Sequence, residues 1–170
     1  MSYSLGIPSV DLADFLSGDP QRENKFVQEL GQAYQEIGFV ALKNHGLSEE
    51  LRERLYREVT AFFAQDTAFK ERYEIEGLAG QRGYTGFGKE HAKGRNTGDL
   101  KEFWHFGQYV EDNDPIAEEY PDNVEVKEMP DFNAVGKEVY QKLEATGAKV
   151  LEALAIFLEQ DRNFFAPHIH

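Results

Sequence analysis

The chain has 170 residues and a mass of 19.4 kDa, enough for one domain with a sizeable core. Its 31 acidic against 18 basic residues give a formal net charge of −13, which repels nucleic-acid phosphates and anionic lipid and argues against either as a partner. Cysteine is absent, which excludes disulfides, thiolate metal sites and a cysteine nucleophile, and suits a reducing cytoplasm.

The first residues, up to Pro8, have neither a basic nor an apolar leader region. No later stretch approaches the ~20 apolar residues that span a bilayer. The expected location is cytoplasmic, away from membranes. Hydrophobic residues make up 41% and aromatic residues 13%, ample material for a packed interior.

Ile7 to Leu12 alternates apolar and polar residues and predicts a short edge strand. From Asp19 a capped start with Pro20 at the first helical position leads into Phe26, Leu30, Ala33 and Ile37 at helical spacing, until Gly38 stops the run. Gly38 to Lys43 is a compact apolar run too short for a helix, predicting a buried strand before the turn Asn44-His45-Gly46. Ser48 then caps a helix whose face carries Leu51, Leu55, Val59, Phe62 and Phe63, and Asp66 restarts a shorter one through Tyr73.

Glycines recur at positions 77, 80, 83, 86, 88, 94 and 98, in a stretch that also holds Arg82, Tyr84, Lys89, His91, Lys93 and Arg95. This is a long, basic, flexible loop in an acidic protein, and such loops in compact domains are functional or disordered. Leu100 to Phe106 reads as a strand with Leu100, Glu102, Trp104 and Phe106 on one face and Lys101, Phe103 and His105 on the other. Glu111 to Asp131, densely acidic with Pro115, Pro121 and Pro130, reads as a solvated, irregular connector. From Asp131 to about Glu159 a stripe of Phe132, Val135, Val139, Leu143, Val150, Leu154 and Phe157 predicts one helix of roughly 40 Å.

Taken in order, Ile7-Pro-Ser-Val-Asp-Leu12, Ile37-Gly-Phe-Val-Ala-Leu-Lys-Asn-His-Gly46, Phe62-Phe63 with Lys70, Arg82-Gly-Tyr84 and Asp99-Leu-Lys-Glu-Phe103 resemble the N-terminal region of the isopenicillin N synthase-like Fe(II)/2-oxoglutarate-dependent oxygenases. The resemblance implies an α+β fold, the helix-rich N-terminal portion of a double-stranded β-helix (jelly roll), incomplete as given. Residues 1–170 would form a single unit, with the catalytic jelly-roll half expected beyond residue 170. It also implies an enzyme that uses Fe(II) and 2-oxoglutarate to oxidise a small-molecule substrate, its iron held by a His-x-Asp pair and a distant His.

The sequence departs from the family there. None of its five histidines is followed two residues later by Asp or Glu, and there is no Arg-x-Ser to grip 2-oxoglutarate. No metal ligand or catalytic residue is therefore assigned, and these residues alone are expected to bind neither cofactor and to be inactive. The other reading is an acidic, non-enzymatic interaction module derived from such an oxygenase.

Arg82 and Tyr84 are the candidate substrate-binding residues, because an arginine can pair with a substrate carboxylate and a tyrosine can stack or hydrogen-bond. The bland alternative for Arg82 is a surface charge partner. His45 reads as a turn residue before a ligand or base. His168 and His170 have the His-x-His spacing to share a metal, but sit at the end of the sequence without an evident third ligand; a rival reading is an unrelated metal-binding module using His105, His168 and His170. Trp104 reads as core.

Overall fold

The computed structural model describes residues 6–91, 94, 97–111 and 113–169. It divides the chain into two compact units: Met1–Leu47 with Lys142–His170, and Ser48–Gln141. The architecture mixes helix and strand, and no closed barrel forms among the described residues.

In the first unit, β1 (Ser9–Asp11) pairs in parallel with β2 (Ala41–Lys43), in the register Ser9 to Ala41 and Asp11 to Lys43. The expected strand through Leu12 is shorter, because the Asp11 carboxylate accepts from the Ala13 N–H at 2.9 Å and so caps α1 (Leu12–Phe15), a helical turn that the alternation concealed. Hydrogen bonds from the Asn44 side chain, then from Ala13, hold the Asp11 carboxyl below its ordinary range. Helix α2 (Pro20–Glu36) begins at the Asp19 cap and ends where Gly38 turns left-handed at φ 81°, as the sequence predicted.

β2 is not buried as expected: Ala41 and Lys43 are exposed and Phe39 is 68% exposed. Its one hydrogen-bonded strand neighbour among the described residues is β1, and Val40 and Leu42 pack only partly against the core of this unit. Val10, Leu12, Phe15, Phe26, Val27, Leu30 and Ala153 form the core of this unit.

The second unit is centred on an aromatic core. Helix α3 (Glu49–Phe63) starts at the Ser48 cap and α4 (Thr67–Glu71) at the Asp66 cap, both where the sequence placed them. Phe62 is fully buried, stacked on Phe132 at 5.0 Å and meeting Trp104 edge-on at 4.9 Å. The glycine-rich segment is not wholly loop, since β3 (Gly83–Thr85) pairs antiparallel with β4 (Phe103–His105). β4 is shorter than the predicted strand, and Leu100 is 93% exposed.

The acidic connector is irregular but not simply solvated. Val126 is fully buried, and the Asn133 side chain replaces a strand partner, accepting from the Val126 N–H at 2.9 Å and donating to its carbonyl at 3.0 Å. Helix α5 (Pro130–Phe157) is unbroken, as the periodicity predicted. Leu143 is the exception to its stripe, being half exposed.

Candidate functional site

The β3–β4 pair has two faces because side chains alternate along a strand. Tyr84 lies opposite Trp104, and both turn into the aromatic core; Thr85 lies opposite Phe103, and these turn the other way with His105. The core face carries a buried charge network. Lys70 Nζ donates to both oxygens of Glu102, at 2.8 and 3.0 Å, and the Tyr84 hydroxyl donates to Glu102 at 2.6 Å. Burial works against ionising Glu102, but the hydrogen bonds from Lys70 and Tyr84 outweigh it and hold its pKa below the ordinary value of 4.5. Burial, with Glu102 beside it, pushes the Tyr84 hydroxyl well above the ordinary phenol range.

The two predicted substrate residues fall on different surroundings from those a flexible loop suggests. Tyr84 is buried, with its hydroxyl committed to Glu102. Arg82 is 9% exposed; one terminal nitrogen donates to the Gln81 carbonyl at 2.8 Å, Nε has no partner, and no carboxylate among the described residues pairs with it. Its guanidinium lies flat against Gly107, where a Cβ would overlap Arg82 Cζ.

The opposite face of β3–β4 opens into a cleft of about 640 Å³, walled by Ile75, Gly80, Gln81, Thr85, Phe103 and His105, with Glu74, Glu76, Lys89, Glu90 and His91 around them. Ala79 and Gly80 both take left-handed backbone, φ 49° and 76°, folding the segment back so that the Gly80 carbonyl meets His105 Nδ1. A carbonyl only accepts, so that contact requires a proton on Nδ1. Thr85 is 7% exposed and its hydroxyl oxygen has no hydrogen-bond partner. Sequence reasoning missed Thr85, although strand alternation from Tyr84 would have found it once β3 was recognised.

The remaining histidines stay apart. The His45 ring accepts from the Leu47 N–H at 3.4 Å and its carbonyl accepts from the Thr146 hydroxyl at 2.7 Å, the contacts of a turn residue. His168 lies in a terminal 3-10 turn; His170, Lys93 and Arg95 lie outside the described residues. Among the described residues no group of three His, Cys, Asp or Glu comes together to hold a metal, and no helix is long and apolar enough to cross a membrane.

Residues 7–131 match the family model described as non-haem dioxygenase in morphine synthesis, N-terminal. The chain is similar to a 2-oxoglutarate-dependent dioxygenase of Aspergillus flavus, 29% identical over 92% of this chain and 50% of the relative. It is similar to a proline hydroxylase of Petromyces alliaceus, 27% identical over 95% of this chain and again 50% of the relative. The chain thus spans about half the length of the curated relatives it matches. Among solved structures, a 2OG-Fe(II) oxygenase family protein of Caulobacter crescentus superposes with a TM-score of 0.81 at 34% identity, over 95% of this chain and 52% of that one. A C-terminally truncated protein of Neurospora crassa, solved in its apo form, shares the fold, with a TM-score of 0.76 at 23% identity over 99% of this chain and 59% of that one.

Proposed function

We propose a function from one premise: the chain belongs to the family of non-haem dioxygenase N-terminal regions. It is the N-terminal part of an Fe(II)/2-oxoglutarate-dependent oxygenase that oxidises a small molecule, and it supplies a wall of the substrate site rather than the iron site. The observation that supports this is the cleft on the outer face of β3–β4, which Gln81, Thr85, Phe103 and His105 line. Ile75 and Phe103 give this cleft an apolar part within a polar and charged rim, and its size suits a small organic ligand.

The side chains of the described residues do not fit an iron centre, which needs three convergent ligands with open positions beside them. No step of the oxidation is therefore derived from them. In the whole enzyme Fe(II) and 2-oxoglutarate would supply the oxidising chemistry, from residues outside this chain. Within it, Gln81, Thr85, Phe103 and His105 would face the substrate. Arg82 and Tyr84 would hold the strand that carries them: Tyr84 ties β3 to Glu102 and Lys70, and Arg82 packs beside Gly107. Any direct contact of Arg82 with substrate would use the nitrogens that no acid occupies. Relatives named as dioxygenases do not favour the alternative of a non-enzymatic module.

The test is anaerobic Fe(II) titration, with 2-oxoglutarate decarboxylation followed, on the 170-residue chain and on the whole reading frame that contains it. The whole protein is expected to turn over 2-oxoglutarate while the 170-residue chain binds iron no better than scattered surface histidines do. Tight stoichiometric iron binding by the 170 residues would overturn this reading.

A further inference from the structure

Trp104 is the only tryptophan in the chain, and it packs into the aromatic core of the second unit. Its ring meets Phe62 and Phe132 edge-on at 4.9 and 5.0 Å and Phe106 at 5.8 Å. The remaining ring against it among the described residues is Tyr73, 6.3 Å away between centroids. Indole and phenol rings yield an electron to strong one-electron oxidants, whereas phenylalanine resists them. Of the four rings packed on Trp104, Tyr73 alone can therefore return an electron to an oxidised indole.

The two rings differ in what can take a proton from them. The Trp104 indole N–H is buried and has no acceptor among the described residues. A buried donor in that state calls for an explanation, a redox role among them. An indole radical cation is a strong N–H acid, and with nothing to receive its proton it keeps its charge and its oxidising power.

Tyr73 is the opposite case. It is 8% exposed, and its hydroxyl donates to the Glu128 carboxylate, which also pairs with Arg72 at 2.9 Å. Burial, with Glu128 beside it, pushes the Tyr73 hydroxyl above the ordinary phenol range, so the phenol keeps its proton at rest. The bond from Tyr73 in turn holds the Glu128 carboxyl below its ordinary range, so it stands ionised as an acceptor at neutral pH. The Arg72 guanidinium lies over the Tyr73 ring at 5.7 Å, where its charge opposes a positive ring. Tyr73 must therefore lose its electron together with its proton, and Glu128 is in place to receive that proton. About half of the Glu128 side chain is open to solvent, so this end of the path reaches the surface.

We infer that Trp104, Tyr73 and Glu128 form a redox relay that carries an oxidising equivalent out of the aromatic core to the surface. A strong one-electron oxidant, of the class of oxygen-derived radicals, removes one electron from Trp104 and leaves the indole radical cation. Tyr73 then passes one electron to Trp104 and its hydroxyl proton to Glu128. This restores the indole and leaves a neutral phenoxyl radical beside a carboxylic acid. A soluble one-electron reductant such as ascorbate returns the electron, and Glu128 returns the proton. The relay needs neither the cleft nor the oxygenase reading, and it stands or falls apart from both.

The experiment is laser photo-ionisation of the 170-residue chain at the red edge of indole absorption, where tyrosine does not absorb. Hexaamminecobalt(III) in solution takes up the ejected electron. With one tryptophan in the chain, the indole radical has a single source. Its signal is expected to decay in a phase independent of protein concentration, while the phenoxyl signal rises at the same rate. That phase should be slower in heavy water, because the proton moves with the electron. Tyr73→Phe should abolish it, and Glu128→Gln should slow it about tenfold, the size of one hydrogen bond to a charged group. Tyr84→Phe, which removes the other phenol buried in this core, should leave it unchanged. An unaltered phase in Tyr73→Phe or Glu128→Gln, its loss in Tyr84→Phe, or equal rates in light and heavy water would each overturn the inference. The heavy-water comparison uses the wild-type chain alone, so it decides even where a variant fails to fold.

Discussion

Lys70, Glu102 and Tyr84 show how much a single buried acid asks of its neighbours. Glu102 stands next to β4, where its side chain falls on the aromatic face, and a carboxylate there is tolerable because Lys70 and Tyr84 donate three hydrogen bonds to it. Lys70→Met removes two of them and leaves the charge uncompensated, with an expected loss of about 3 kcal/mol in urea unfolding at pH 7. The pH dependence has a fixed sign. Because the folded state holds Glu102 below its ordinary 4.5, its contribution is present above that value and fades as pH falls through the lower folded pKa. The gap between wild type and Lys70→Met should therefore narrow from pH 7 towards pH 3, and a constant gap would refute the assignment. The sequence placed Glu102 and Trp104 on one strand face, but it could not show that Lys70 reaches that face from a helix 32 residues earlier.

At the level of elements, close packing decides positions that propensity leaves neutral. Gly31 sits in the middle of α2, where alanine would ordinarily favour the helix by about 1 kcal/mol. A Cβ there would overlap the Phe157 ring of α5 at Cγ, the ring's fixed end. Gly31→Ala is therefore expected to destabilise by about 1–2 kcal/mol, because overpacking outweighs the propensity gain, and thermal unfolding measures it. A rise in Tm would show that α2 and α5 tolerate the extra methyl. The caps at Asp19, Ser48 and Asp66 were legible because they act within one turn of the chain. β3 was not, since Gly83 at φ 73° and its neighbouring glycines carry loop composition, while the pairing that makes it a strand comes from residues 103–105.

For the whole molecule, the two sheets have two strands each; the outer edge of β3 is met by Glu74 bridging Gly83 and by the Tyr84 N–H donating to the Tyr73 carbonyl at 3.0 Å, whereas no further strand pairs with β1, β2 or β4 among the described residues. Phe39, Leu100 and Ile7 stand exposed beside them. The 170-residue chain is expected to bind a hydrophobic dye such as ANS and to associate with rising concentration, as seen by light scattering. The whole reading frame should bind less dye per molecule. A monodisperse, dye-silent 170-residue chain would mean that these edges need no covering.

What the sequence determined by itself is what local chemistry controls: the helix starts and stops, the unbroken register of α5, the absence of thiolate chemistry and, through its motifs, the family. Those signals lie within a few residues of what they specify. Only the tertiary structure decided that Val126 is core, that β2 is exposed, that Tyr84 turns inward, and that Thr85 and His105 share the cleft. The reason is physical. A strand's two faces are set by what pairs with it and packs on it, and those partners lie far away along the chain, so the side on which a functional group emerges is a property of the fold and not of the segment.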